Sequence, residues 1–421
     1  MEYLKNHIKL GSFLRKSLLI SLFLTQIAWA SESWEELRST ALENNFEILR
    51  AEESLYRARL SYISSAKGFL PDRSLAASAS KDSDGGKRNS LSLNASYNFS
   101  LFRGGRTRFD LLRSRLSYES ARINLENTRR GVIYRLRTSF GDLIMAKEHL
   151  AAAQETLARL KQNFEIISMR YEAGREDRGA LLRAEADLER EKYNLAASER
   201  RLTRAYEDLY YLIGKNMPEN PTVEAEFESP NIPSSPDMDK LLLIHPEYLL
   251  AMNSLKGAEL SHSEKKGNLW PSLTASAGAG MTTDESPFDE SFWQTSVSLK
   301  FPFFNLGKDI ISLNVSKSEK HLALMSLDDK KQNLMLEIKN TYEDFLEAEK
   351  NLEIQELYGQ ATKERVEIIM EKYLNGLISY YEWDAAEREL ISSRKNIISA
   401  KSQLYNAAAR WERFSGLGLE E

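Results

Sequence analysis

The sequence contains no cysteine, which excludes a disulfide framework, a thiolate metal site and a lipidated N-terminal cysteine. No stretch approaches 18 uninterrupted apolar residues, so a multi-helix membrane transporter is excluded, although a β-barrel is not. Histidine is scarce. The five, His7, His149, His245, His262 and His321, share no metal-ligand spacing, and those of the mature chain are expected to be lone surface side chains. The glycine pairs at 85–86 and 104–105 lack a phosphate-loop pattern and are turn glycines. Acidic residues are abundant on helical stretches, but no catalytic constellation emerges, so neither an enzyme nor a cofactor is expected. A net charge of −5, with acids close to Arg129, Arg130, Arg135 and Arg137, argues against nucleic acid as a partner.

Proline is also sparse, and unevenly placed. Of ten, five (Pro218, Pro221, Pro230, Pro233 and Pro236) fall in one polar segment, which stops helices and central strands and marks a connector. At the N-terminus, Lys5, Lys9, Arg15 and Lys16 precede an apolar run at 18–28 that ends in Ala28-Trp29-Ala30. This is the layout of a cleavable export signal, with cleavage expected after Ala30. The run is about a dozen residues, short of the roughly 20 that a spanning helix needs.

The chain repeats itself. A shift of 200 residues brings Asn45-Phe46-Glu47-Ile48 onto His245-Pro246-Glu247-Tyr248, Ala51 onto Ala251, Ala58 onto Ala258 and Pro71 onto Pro271. A shift of 202 brings Phe99 onto Phe301, Phe102 onto Phe304, Gly105 onto Gly307, Tyr171 onto Tyr373 and Gly174 onto Gly376. A nearly constant offset over this length marks two copies of one unit. We therefore divide the chain into a signal peptide (1–30), repeat 1 (31–215), a connector (216–240) and repeat 2 (241–421).

Two periodicities run through each copy. Leu136, Leu143, Leu150, Leu157, Phe164 and Tyr171 recur every seventh position, as do Ile338, Phe345, Leu352, Val366 and Tyr373 202 residues later, with Gly359 the lapse. Returning stripes run through Leu181, Leu188, Leu195, Leu202 and Leu209, and through Trp383, Leu390, Ile397, Leu404 and Trp411. Such seams bury helix against helix in coiled-coil fashion. A helix over 106–171 would be roughly 100 Å long at 1.5 Å per residue.

Elsewhere the period is two. Leu91, Leu93, Ala95, Tyr97 and Phe99 alternate with Ser and Asn, and Trp293, Thr295, Val297, Leu299 and Phe301 alternate with mostly polar neighbours. Residues 74–80 alternate more weakly, being largely Ala and Ser, and Leu273, Ala275, Ala277, Ala279 and Met281 alternate with small polar or glycine residues. Ten such residues, tilted near 45°, cover roughly 23 Å, close to the apolar band of an outer-membrane barrel. Leu91, Leu93, Tyr97, Phe99, Trp293, Val297, Leu299 and Phe301 are the expected lipid-facing set. Two hairpins give four strands, too few to close, so neighbouring chains must complete the wall.

At this point the sequence resembles the TolC-like outer-membrane efflux proteins. The likeness is carried by Glu247-Tyr248 with Ala251 and Ala258, by Pro71 and Pro271, and by the strand-to-helix return running from Phe301 to Gly307. It is carried also by Tyr171-Glu172-Ala173-Gly174 and Tyr373-Leu374-Asn375-Gly376, with Ala184 and Ala386 ten residues past the glycines. The resemblance implies a mainly α fold with β. Long antiparallel helical hairpins form an α-barrel, and four strands per chain contribute to a trimeric twelve-stranded transmembrane barrel. It implies a homotrimer in the outer membrane of a Gram-negative bacterium, reaching into the periplasm, with a periplasmic adaptor and an inner-membrane pump as partners. Its function would be export of drugs, metals or proteins. A periplasmic adaptor or structural coiled-coil protein is the alternative, disfavoured by the duplicated alternating strands. In the family the hairpin turns form the periplasmic entrance and receive the adaptor. Gly174, Arg175, Gly376 and Leu377 are thus the expected docking tips, and Tyr171, Tyr373, Glu382 and Asp384 the expected pore entrance. Arg175 departs from the usual Gly-Leu. Gly179, Ala180 and Ile378 replace the family's polar lock.

Overall fold

A computed structural model of the chain describes residues 32–81, 89–227, 232, 236–283, 290–301 and 307–415. The expected leader, with its cleavage point after Ala30, lies outside the described residues, as do both strand-connecting loops and residues 302–306 of the return motif. The elements run α1 (Trp34–Asn44), α2 (Phe46–Lys67), β1 (Asp72–Lys81), β2 (Asn89–Arg103), α3 (Arg106–Glu172) and α4 (Arg178–Leu212). The second series is α5 (Met238–Ile244), α6 (Pro246–Gly267), β3 (Ser272–Thr283), β4 (Glu290–Lys300), α7 (Lys308–Leu374) and α8 (Tyr380–Ser415). The two series have the same order, with the short helices α1 and α5 in the same first place, as the repeat requires.

Local chemistry sets the boundaries twice over. Asn45 caps α2 by accepting from the Glu47 amide at 2.9 Å, and its counterpart His245 caps α6 by accepting from the Glu247 amide at 3.3 Å. The two long helices α3 and α7 are 67 residues each, roughly 100 Å. Both start after a left-handed glycine, Gly105 (φ 81°) and Gly307 (φ 76°). Where the first copy's strand-to-helix junction meets the end of α6, Gly104 and Gly267 touch backbone to backbone. A Cβ on Gly104 would lie 1.9 Å from the Gly267 carbonyl oxygen, so only glycine fits.

The helices lie side by side in a single layer. Near the sheet the order is α2, α3, α6, α7; away from it the order is α4, α3, α8, α7. The inner pair α3 and α8 belong to different copies, and ion pairs stitch them together: Arg137 to Glu412 (3.0 Å), Lys401 to Glu148 (2.7 Å), Arg394 to Glu155 (2.8 Å) and Arg159 to Glu387 (2.6 Å). On one side of this layer, α1 and the connector pack against α3, with the Trp34 ring tilted against Phe140 (5.3 Å between centroids). Lys147 donates there to the Val223 carbonyl at 2.7 Å.

The seven-residue seam is buried as expected in copy two, where Ile338, Phe345, Leu352, Val366 and Tyr373 are all inside. Gly359, the lapse, lies under Ile397, whose Cδ1 would be 2.5 Å from an added Cβ. Copy one differs. Leu136 and Leu143 are buried, but Leu157 and Phe164 are half-buried and Tyr171 exposed, while Ala153, Thr156, Asn163 and Ile167 are inside. The cause is position: α3 has neighbours on both sides, α4 and α8, so its buried surface is shared between two narrower seams. One histidine departs from expectation, whereas His321 is exposed as expected. His245 is 5% exposed, stacked on Phe414 at 5.6 Å, because a capping side chain at a helix start packed against α8 has no route to water.

Strands β1 to β4 form one antiparallel sheet in the order β1-β2-β3-β4. Its register puts Leu75, Ala95, Ala279 and Trp293 in one cross-strand row, and Ala77, Leu93 and Met281 in another. The intervening rows place Ser74 opposite Ser96 and Ser276 opposite Ser296, with hydroxyls 2.6 and 2.7 Å apart. One face is therefore apolar and the other hydroxyl-rich across all four strands, which is what a period of two produces when the register is kept.

Candidate functional site

Two surfaces of this framework carry chemistry. The first is the sheet. On its apolar face Leu91, Leu93, Tyr97, Trp293, Val297, Leu299 and Phe301 are all exposed, Trp293 at 79% and Val297 at 72%, and Phe99 is half-buried. Among the described residues nothing in the chain covers this face, and β1 and β4 remain unpaired at the edges. Open edges and a bare aromatic and aliphatic face are unstable in water unless both find partners. Arg73, on the apolar face at the start of β1, lies over the Tyr97 ring at 5.8 Å.

The second surface is the pair of hairpin tips. In each, the long helix closes through a left-handed glycine, Gly174 (φ 68°) and Gly376 (φ 74°). The amide two residues past the cap bonds back into the last turn: Arg175 to the Arg170 carbonyl at 2.8 Å, and Leu377 to the Lys372 carbonyl at 2.9 Å. Three residues past each glycine a polar side chain caps the next helix, Asp177 receiving the Ala180 amide (2.9 Å) and Ser379 the Glu382 amide (3.4 Å). The two turns thus have the same geometry, a helix stop and restart in about four residues.

Beneath the turns the tips are welded together. Tyr373, Tyr380 and Trp383 pack with Ile167, Ala180 and Ala184 in one buried cluster, the Tyr373 and Trp383 rings stacked at 4.6 Å. Arg170 of the first tip lies over the Tyr373 ring at 4.5 Å, and its guanidinium donates to the Tyr373 and Leu374 carbonyls at 2.8 and 3.0 Å. A cation thereby meets the negative end of the α7 dipole. The Tyr373 hydroxyl donates to Glu176 at 2.7 Å, and burial, aided by that carboxylate, pushes its pKa up to about 12. One layer deeper, Glu387 is 3% exposed and held by two bonds from Arg159 (2.6 and 2.9 Å) and one from the Trp383 indole (3.1 Å).

The expected entrance residues therefore separate into two levels. Glu382 and Tyr171 are exposed at the tips, with Leu377 (72%), Gly174, Arg175 and Gly376. Tyr373 and Asp384 are inside: Tyr373 in the aromatic cluster, Asp384 at 8% exposure with Arg388 at 2.8 Å. Burial pushes the Asp384 carboxyl above the usual range in spite of that arginine. Sequence reasoning did not single out Arg159, Arg170, Glu176 or Glu387. Each makes its bond across the two copies, at separations of 197 to 228 residues, and no spacing within one helix announces a partner on another.

Comparisons with known proteins agree with this geometry. The family described as outer membrane efflux protein matches residues 37–215 and 256–417. The cation efflux system protein CusC of Escherichia coli O157:H7 is 23% identical over 379 residues, covering 86% of this chain and 81% of its own length. The toluene efflux pump outer membrane protein TtgF of Pseudomonas putida is 22% identical over 407 residues, covering 93% and 84%. A crystal structure of CusC superposes with a TM-score of 0.80 at 20% identity, over 90% of this chain and 91% of the other. These relatives are outer-membrane channels, which supports the channel expectation and not the adaptor alternative. A match that spans both repeats, together with the shared fold, establishes that this chain belongs to the outer membrane efflux protein family.

Proposed function

We propose that three copies of this chain close into one duct, a twelve-stranded barrel in the outer membrane continuous with a helical barrel in the periplasm. The duct exports small molecules supplied by an inner-membrane pump through a periplasmic adaptor. One observation carries this reading: the sheet and the helical layer are both open along both borders. β1 and β4 bound the sheet, and α4 and α7 bound the layer away from it. A lipid-embedded sheet tolerates no free edge, and four strands cannot curl into a barrel alone. Repetition of the chain around an axis closes both layers at once. The apolar sheet face then meets lipid and the hydroxyl face lines the channel.

In this reading the exposed tip residues Gly174, Arg175, Gly376 and Leu377 meet the adaptor, and Glu382 with Tyr171 rims the entrance. Tyr373 and Asp384 support that rim from beneath. Three Glu382 carboxylates around a narrow axis favour cations at the mouth. The test is conductance of the purified protein in planar bilayers. A long-lived pore is expected, with cation preference reduced in Glu382→Gln. Failure to form any pore contradicts the duct, and a pore with unchanged selectivity removes Glu382 from its rim.

A further inference from the structure

Halfway along the helical layer, α4, α3 and α8 enclose a cavity of about 220 Å3 whose lining includes His149, Arg201, Lys395, Asn194 and Ser198. Its direction follows from helix geometry. Lys147 reaches the connector, and His149, two residues on, is rotated by roughly 200° and faces the opposite side of the layer. Ala152 and Thr156, at helical spacing from His149, line the same cavity. The connector and α1 occupy one side of the wall, so the cavity opens on the other, which in the duct proposed above is the lumen.

The charges at its upper end are unbalanced. Among the described residues neither Arg201 nor Lys395 makes an ion pair, whereas Arg394 nearby is held by Glu155 at 2.8 Å. Burial first, then Arg201 and Lys395, push the His149 pKa down, opposed only by Glu148, and Glu148 is engaged by Lys401 at 2.7 Å. Glu191 also lines the cavity, buried and bonded to Asn194 at 2.9 Å. It is ten residues from Arg201 on α4, roughly 15 Å away along the helix.

The repeat supplies an internal control. His149 and Arg201 correspond, at the offset of 202, to Asn351 and Gln403, and those two amides hydrogen-bond to each other at 3.2 Å. The position between the two helices is thus filled by a neutral, self-satisfied pair in copy two. Packing does not demand two basic groups in copy one.

We infer that His149, Arg201 and Lys395 form an oxyanion-binding site on the lumen wall, taking a phosphate, sulfate or carboxylate group of a cargo in transit. Arg201 supplies a planar fork of donors, Lys395 a point charge and His149 an N–H. Ser198 adds a hydroxyl donor along the cavity, whereas the Asn194 amide is engaged by Glu191. Its placement in a lumen rests on the duct reading, while the site itself is formed within one chain. Three copies would ring the passage with basic groups well beyond the acidic mouth, so anionic or zwitterionic cargo would meet both signs in turn.

The test is calorimetric titration of inorganic phosphate into the detergent-solubilised full chain at low ionic strength, where exposed charges are least screened. Saturable binding is expected. It should weaken at least tenfold in His149→Asn/Arg201→Gln, which installs the copy-two pair and is expected to fold, and also weaken in Lys395→Gln. Absent binding, or equal binding in all three proteins, overturns the site. A chain that binds phosphate but forms no pore keeps the site and refutes the duct. One that conducts without binding phosphate does the reverse.

Discussion

At the scale of single residues, the least exposed of the buried carboxylates, Glu387, is the one that fastens one copy to the other. Glu387 is almost fully buried, whereas Arg159 is partly open at 27%. Removing the arginine leaves a carboxylate without its countercharge inside the wall, a change that costs roughly 3–5 kcal/mol. Arg159→Ala should therefore lower the melting temperature sharply, and Arg159→Ala/Glu387→Gln should recover much of the loss in the same thermal melt. His245 provides the pH test. Burial first, with Arg130, Lys330 and Arg413 adding to it and Glu247 opposing, pushes its pKa down to about 4 from 6.5. Its ring also accepts the Glu247 amide, which a protonated ring cannot do. Because the folded pKa lies below the unfolded one, this contribution is complete above about pH 6.5 and is lost as pH falls towards 4, on the order of 3 kcal/mol. His245→Asn, which reproduces the Asn45 cap of the first copy, should flatten the stability profile between pH 6.5 and 4. An unchanged profile in the variant would refute this assignment.

At the scale of elements, faces matter more than individual contacts. Val297 and Ser296 are neighbours on β4 but belong to opposite faces. Val297→Arg should disrupt insertion, since an arginine on a lipid face costs about 2–4 kcal/mol near mid-membrane. Ser296→Arg, on the hydroxyl face, should leave yield in the outer-membrane fraction nearly unchanged. Equal loss in both would mean that the register described here is wrong. These faces were legible in the sequence because a strand's period of two survives without any tertiary knowledge. Even the Ala-rich β1 falls into step through Leu75, Ala77 and Ala79 opposite Ala95, Leu93 and Leu91. The seven-residue seam was legible for the same reason, and completely so in α7, which buries one stripe at the edge of the layer. It was only half legible in α3, where a helix flanked on both sides divides its buried positions between Leu and small or polar residues such as Ala153, Thr156 and Asn163. The turns announced themselves through Gly174 and Gly376, whereas the bonds beneath them, Arg170 to the α7 carbonyls and Tyr373 to Glu176, depend on which helices become neighbours.

At the scale of the molecule, the two copies build one continuous strip: four strands, then four long helices, in matching order and open along both borders. The strip explains why large apolar side chains such as Leu75, Trp293, Val297 and Leu299 remain uncovered in a single chain. It also explains why the ion pairs gather between α3 and α8, the seam between copies. Natural absence of cysteine allows the closure to be tested directly. Leu75→Cys on β1, combined in turn with cysteine at 293, 295, 297 or 299 on β4, can be treated in isolated outer membranes with a short bis-maleimide. Within one chain those strands are roughly 14 Å apart across three strand spacings, beyond the reach of such a reagent. We predict that at least one pairing gives a covalent ladder of dimer and trimer that stops at three; monomer alone in every pairing, or a ladder running past three, would contradict the closed trimeric duct.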